Sequence, residues 1–168
     1  MTKMDTPAEI RKATSQDIGI IRQIAEQTWP ETYGGIITEA QISYMLELMY
    51  SDASLQEQIS KGHQFYLAET GGKAIGFASV SDENNGIFKL NKLYVLPAIQ
   101  KSGAGKALLQ QVMVHAKNSG AVQLILQVNK QNGARQFYER QGLKVLEEKV
   151  LELEHGFVMD DYIMGIHL

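Results

Sequence analysis

The sequence predicts a single α/β (α+β) domain, a mixed central sheet of about seven strands flanked by about four helices. Three observations predict it. The chain has 168 residues, the length of one ordinary domain. It is 44% hydrophobic and 21% charged, enough apolar material for a sizeable core. Its apolar residues switch between helical and strand spacing, so that an antiparallel front half feeds a β-α-β unit in the back half.

The elements follow in order. Ile10 to Ala13 reads as a short opening strand. Thr14 has the place of a helix N-cap, with Asp17 three residues later. Ile18, Ile21, Ala25, Thr28 and Trp29 then share one helix face, and Pro30 is expected to break or bend that helix. Thr38 with Gln41 has the form of a capping box, followed by an amphipathic helix through Ile42, Met45, Leu46 and Met49. A shorter helical piece runs from Ser54 to Ser60.

His63 to Thr70 and Lys73 to Val80 read as strands joined by a Gly71-Gly72 hairpin turn. Gly86 to Leu96 is a further strand, stopped by Pro97. A glycine turn leads into a helix whose apolar face is Leu108, Leu109, Val112, Met113 and Ala116, with Gly120 as its stop. Val122 to Val128 is apolar and β-prone, a buried strand. Asn132 to Gln141 is a short helix closed by Gly142. Leu143 to Glu154 and Phe157 to His167 are final strands turning at His155-Gly156. Residues 1–9 read as an N-terminal tail and 10–168 as the domain.

Composition narrows the function classes. The net charge of −3 argues against nucleic acid as the main partner, because phosphate backbones attract basic surfaces. No cysteine is present, which excludes disulfides, thiolate metal sites and a cysteine nucleophile. No metal site is expected. The first nine residues lack an apolar signal region, and no apolar run approaches the ~18 residues that span a membrane. A soluble cytoplasmic protein with no membrane partner is expected.

The chemistry concentrates at Gln100-Lys101-Ser102-Gly103-Ala104-Gly105-Lys106. A helix N-terminus presents unpaired N–H groups and the positive end of the helix dipole, so it binds anions. Glycine lets the backbone approach the ligand closely. The P-loop motif fails here, because Gln100 stands at its first glycine and Ala107 follows Lys106 in place of a hydroxyl residue. The dinucleotide fingerprint fails at Leu108, where its last glycine belongs. A pattern of Arg or Gln, two residues, Gly, one residue, then Gly or Ala is met by Gln100, Gly103 and Gly105. A tight turn into a helix with no ligand explains a similar string.

With its flanks, from Leu93 through Pro97 to Leu109, this stretch resembles the coenzyme A-binding motif of the GNAT family of N-acetyltransferases. The run from Val128 to Leu143 is similar to that family's second signature, an Asn-containing loop, then alanine, Phe137-Tyr138 and Gly142-Leu143. The two signatures lie one helix and one strand apart, and the element order matches over nearly the whole chain. The resemblance implies a sheet splayed around acetyl-CoA as co-substrate. It implies that the backbone from Gln100 to Lys106 holds the pyrophosphate: Gln100, Lys101, Ser102, Gly103, Ala104, Gly105 and Lys106. It places the pantetheine arm against the main chain of Leu93, Tyr94 and Val95, and cofactor contacts at Asn129 and Asn132. For Asn132 a helix-cap role can coexist with that contact. A solvated first-turn lysine equally explains Lys106.

Tyr138 occupies the family's place for a phenol near the coenzyme A sulfur, where it can donate a proton to the departing thiolate. A backbone N–H near Tyr94 is placed to stabilise the oxyanion. The family's strand carboxylate is absent, and Lys89 and Asn91 stand where acid is expected. Glu31, His63, Asp82, Glu83 and Asp160 are the candidate bases from other segments. A water chain is an alternative to all of them.

On the acceptor side, Trp29 and Tyr33 lie around a bend, and this segment with the C-terminal strand resembles a branch that includes polyamine acetyltransferases. A lone Trp on an apolar helix face is more often core. The expected reaction is direct acetyl transfer to a primary amine of a small molecule such as a polyamine. Two alternatives remain, a non-catalytic acyl-CoA-binding regulatory module and a protein or peptide N-acetyltransferase. A homodimer follows from family habit.

Overall fold

The structure, a computed structural model, describes residues 8–99 and 102–168. Seven strands form one sheet in the order β1-β2-β3-β4-β5-β7-β6. In chain order the elements are β1 (Glu9–Lys12), α1 (Ile18–Tyr33), α2 (Glu39–Tyr50), α3 (Asp52–Ser60), β2 (Gln64–Thr70), β3 (Lys73–Asp82), β4 (Ile87–Val95), α4 (Ala104–Asn118), β5 (Gln123–Asn129), α5 (Ala134–Arg140), β6 (Lys144–Glu152) and β7 (Val158–His167). The short helical piece after α2 is a helix of its own, Asp52–Ser60, capped by Ser51, which makes five helices among the described residues. No helix among the described residues is long and apolar enough to cross a membrane.

The local signals act as the sequence implies. Thr14 and Asp17 close a reciprocal capping box ahead of α1. Thr38 accepts from the Gln41 backbone N–H, but the Gln41 side chain does not cap back. It donates instead to the Val158 carbonyl at 3.1 Å, tying α2 to β7. Gly71 and Gly72 both take positive φ, the geometry of a tight hairpin turn.

Pro30 does not break the helix. It sits inside α1, which runs on to Tyr33. An interior proline removes one helical hydrogen bond and costs about 3 kcal/mol. Burial of Trp29 and Tyr33 on either side, at 1% and 7% exposure, opposes that cost. Pro30 itself faces solvent, and its carbonyl still accepts from the Gly34 N–H.

The two faces of the sheet carry separate cores. One is built on α4, with Leu108, Leu109 and Val112 against Val80, Leu90, Leu124 and Leu126. The other is built on α1, α2 and α3, with Ile21, Trp29, Met45, Tyr50 and Leu55 against Phe65, Leu67 and Phe77. Strand β4 changes its facing between them. Ser79 opposes Lys92 while Val80 opposes Leu90, so Asn91 is an extra residue in the ladder, a β-bulge. Beyond the bulge, Lys92 and Tyr94 face the α1–α3 side, while Leu93 and Val95 face the α4 side.

The bulge therefore buries a lysine. Lys92 is 6% exposed. Its ammonium donates to Gln58 of α3 at 2.7 Å and lies over the rings of Tyr50 and Phe65. Burial, helped by the charge of Lys89, lowers it to about 8. The unfolded chain keeps that proton up to about 10.5, so stability rises as pH climbs from about 8 to about 10.5. The gap corresponds to about 3 kcal/mol against the charged form. We expect Lys92→Met to be more stable than the parent at pH 7 by about 1–3 kcal/mol in chemical denaturation, with the gain gone near pH 10.5. Equal stabilities across that range contradict a desolvated ammonium.

Candidate active site

The site forms where the sheet comes apart. Strands β4 and β5 pair in parallel only from Ile87–Leu90 against Gln123–Leu126. Beyond those pairs β4 stays with β3, out to Val95 against Gly76, and β5 stays with β7, out to Asn129 against Asp161. The diverging halves open a cleft of about 620 Å³ lined by Leu93, Tyr94, Val95, Gly105, Asn132 and Tyr138, among others. A second, narrow cavity of about 50 Å³ continues between the strands, with Tyr33, Gln127 and again Tyr138 in its walls.

Aromatic side chains reach the gap from both faces. Tyr138 comes from α5 on the α4 side, and Tyr33 comes from the end of α1 on the other. The hydroxyls of Tyr33 and Tyr94 lie 3.1 Å apart. Burial pushes the Tyr138 phenol up, with the nearby Tyr33 adding to it. Tyr138 is therefore fully protonated at neutral pH, the form a proton donor needs. Burial likewise raises Tyr33 and Tyr94.

The glycine turn lies at the mouth of the cleft. Gly103 is the N-cap of α4, with φ +88°, a left-handed conformation that side chains rarely adopt, and it offers no side chain to cap the first turn. A Cβ on Gly105 would meet only Phe137 and Val95, each at 3.8 Å. The Ser102 Oγ accepts from the Ala104 N–H at 3.4 Å, and the rest of the first turn of α4 lies beside an open floor, which suits a phosphate of a ligand lying in the cleft. Gln100 and Lys101 lie outside the described residues. Ser102, Gly103 and Lys106 are exposed, and Ala104 is buried.

The remaining residues singled out in the sequence divide. Asn132 lines both cavities and also accepts from the Ala134 N–H at 3.0 Å at the start of α5. Asn129 is buried, accepts from the Gln131 N–H, and lines neither cavity. Trp29 stacks on Tyr33, with ring centroids 4.5 Å apart, inside the α1–α3 core and also lines neither cavity.

Of the candidate bases, Glu31 alone lines a described cavity. His63 lies beside Lys92 and Lys61, and burial lowers it. Asp82 and Glu83 accept hydrogen bonds at the β3–β4 turn. Asp160 pairs with Lys130 at 3.0 Å. Lys89 donates to Gln127 across the strands, and Asn91 donates to Ser81.

One carboxylate is buried with an oxygen left unpartnered. Asp161 is 4% exposed, and its Oδ1 has no hydrogen-bond partner among the described residues. It sits opposite Asn129 in the β5–β7 ladder.

Comparison with known proteins places this site in a class. Residues 36–162 match the acetyltransferase (GNAT) domain. The chain is an N-acetyltransferase by fold and family; it belongs to the GNAT family. It is 29% identical over 143 residues to the spermidine N(1)-acetyltransferase of Thermoplasma acidophilum, covering 82% of this chain and 88% of that protein. It is 27% identical over 150 residues to an uncharacterised N-acetyltransferase of Mycobacterium tuberculosis, covering 88% and 96%. Among solved structures it is similar to the PaiA N-acetyltransferase of Thermoplasma acidophilum in complex with coenzyme A. There the TM-score is 0.82 and the identity 26%, covering 96% of this chain and 99% of that one.

If the cleft beside α4 takes coenzyme A, branching residue 105 obstructs it. We expect Gly105→Val to weaken coenzyme A binding by about tenfold or more, about 1.4 kcal/mol, in calorimetry. Its melting temperature should stay close to the parent's. Unchanged affinity places the ligand elsewhere.

Proposed function

We propose that the chain transfers the acetyl group of acetyl-CoA directly to a primary amine of a small cationic molecule of the polyamine class. The observation that carries this reading is Tyr138, buried where the cleft and the narrow cavity meet and so within reach of substrates entering from both faces of the sheet. The turn from Ser102 to Lys106 holds the pyrophosphate, and the main chain of Leu93 to Val95 meets the pantetheine arm. Tyr33 and Asn132 border the place where the amine arrives. The likeness to a spermidine acetyltransferase and to a coenzyme A complex supports the donor and the acceptor class.

The chemistry needs no covalent enzyme intermediate, and the chain has no cysteine to form one. The amine nitrogen attacks the thioester carbonyl, the carbon–sulfur bond breaks, and Tyr138 gives its proton to the sulfur. Tyr138→Phe should lower kcat by about 100-fold or more while acetyl-CoA binding stays within about threefold. The checks are a free-thiol release assay over spermidine, amino acids and peptides, and calorimetry. Binding without thiol release from any amine favours the alternative, a regulatory acyl-CoA-binding module on the same fold. Release with peptides alone favours a protein N-acetyltransferase.

A further inference from the structure

The cleft carries one acid and one base in its lining, and they do not pair. Glu31 reaches it from the last turn of α1, and Arg140 from the last turn of α5. Helix α1 packs on one face of the sheet through Trp29 and Tyr33, and α5 packs on the other through Phe137 and Tyr138. The two charges therefore border the opening from opposite faces. Neither joins any ion pair among the described residues.

Glu31 is poorly placed for the fold alone. The C-terminal end of a helix carries the negative end of its dipole, so cations stabilise it and anions do not. The last turn of α1 holds no basic side chain, and Glu31 adds negative potential to that end. The residue is exposed, and it opens onto the cleft. Among the described residues no other carboxylate lines either cavity. An uncompensated carboxylate at a helix C-terminus, on the wall of a substrate cleft, attracts a cation from outside the chain.

The same turn of helix leads to the reacting centre. Tyr33, two residues on, walls the narrow cavity, while Glu31 and Thr32 wall the cleft. Tyr94 and Tyr138 border both spaces. An amine whose nitrogen sits beside Tyr138 on the α1 side thus extends along the last turn of α1 toward Glu31.

We infer that Glu31 selects the acceptor: its carboxylate binds an ammonium remote from the reacting nitrogen, so that diamines and longer polyamines are preferred to monoamines. This rests on the reading of the chain as an acetyltransferase of small cationic amines. Glu31 takes no proton in the reaction, and no bond forms or breaks at it. Arg140, of opposite sign on the donor side, repels the same ammonium and fixes the direction in which the acceptor lies. The carboxylate is open to solvent, so its pairing is screened and gives a few-fold preference.

The test compares Glu31→Gln and Glu31→Asp with the parent, using acetyl-CoA as donor and spermidine or butylamine as acceptor. Gln keeps the shape and loses the charge; Asp keeps the charge and shortens the arm. With spermidine, Glu31→Gln should raise KM about fivefold and leave kcat within about twofold. Glu31→Asp should stay within about twofold of the parent in both. With butylamine, which has a single nitrogen, both variants should match the parent. A parent that turns over spermidine but not butylamine shows the preference directly, and the contrast between Gln and Asp then assigns it to the charge. Raising salt from about 0.05 M to about 0.5 M should lift the parent's spermidine KM toward that of Glu31→Gln, whose own KM changes less. Acetyl-CoA affinity should hold, and the melting temperature of Glu31→Gln should equal or exceed the parent's, because an acid leaves a helix C-terminus. Equal losses with both amines, a loss confined to kcat, or a larger loss in Glu31→Asp than in Glu31→Gln overturns the inference. So does a parental spermidine KM in Glu31→Gln. Each of these leaves the acetyltransferase reading standing. No turnover of any amine by the parent removes that reading, and the inference with it.

Discussion

The parting of β4 from β5 after Leu90 and Leu126 is the constraint on which the rest of the structure depends. Backbone N–H and C=O groups inside a sheet are obliged to pair, so two strands that separate in the interior leave edges to be satisfied by something else. The bulge at Asn91 sits where the separation begins. Bulges bend a strand and raise its twist, which turns the far half of β4 away from β5. The same insertion sends Lys92 under α3, where Gln58 and two aromatic rings receive it. One extra residue thus shapes the site and creates the buried charge behind it.

The two-sided packing gives the gap its chemistry. Each face of the sheet has its own core, and each core extends one tyrosine to the opening, Tyr33 from one side and Tyr138 from the other. Burial keeps the Tyr138 phenol protonated. The N-terminus of α4, opened by Gly103 and Gly105, lies at the mouth of the same cleft.

Most of the fold was legible because its signals are local. The hairpin at Gly71-Gly72, the cap at Thr38 and the apolar stripe of α4 each rest on residues a few positions apart. Pro30 does not end α1, because tertiary burial of Trp29 and Tyr33 opposes the local rule. The bulge was hidden, since alternation cannot say where a ladder gains a residue. Tyr138 and the glycine turn were read from spaced motifs.

The central claim is that acetyl-CoA completes the sheet where β4 and β5 part. Amide hydrogen exchange with and without acetyl-CoA tests it most directly. The account predicts slowed exchange at residues 93–95, 103–106 and 132–134, with β1, β2 and the outer part of β6 unchanged. Binding that leaves those amides unprotected, or protects a different surface, contradicts it.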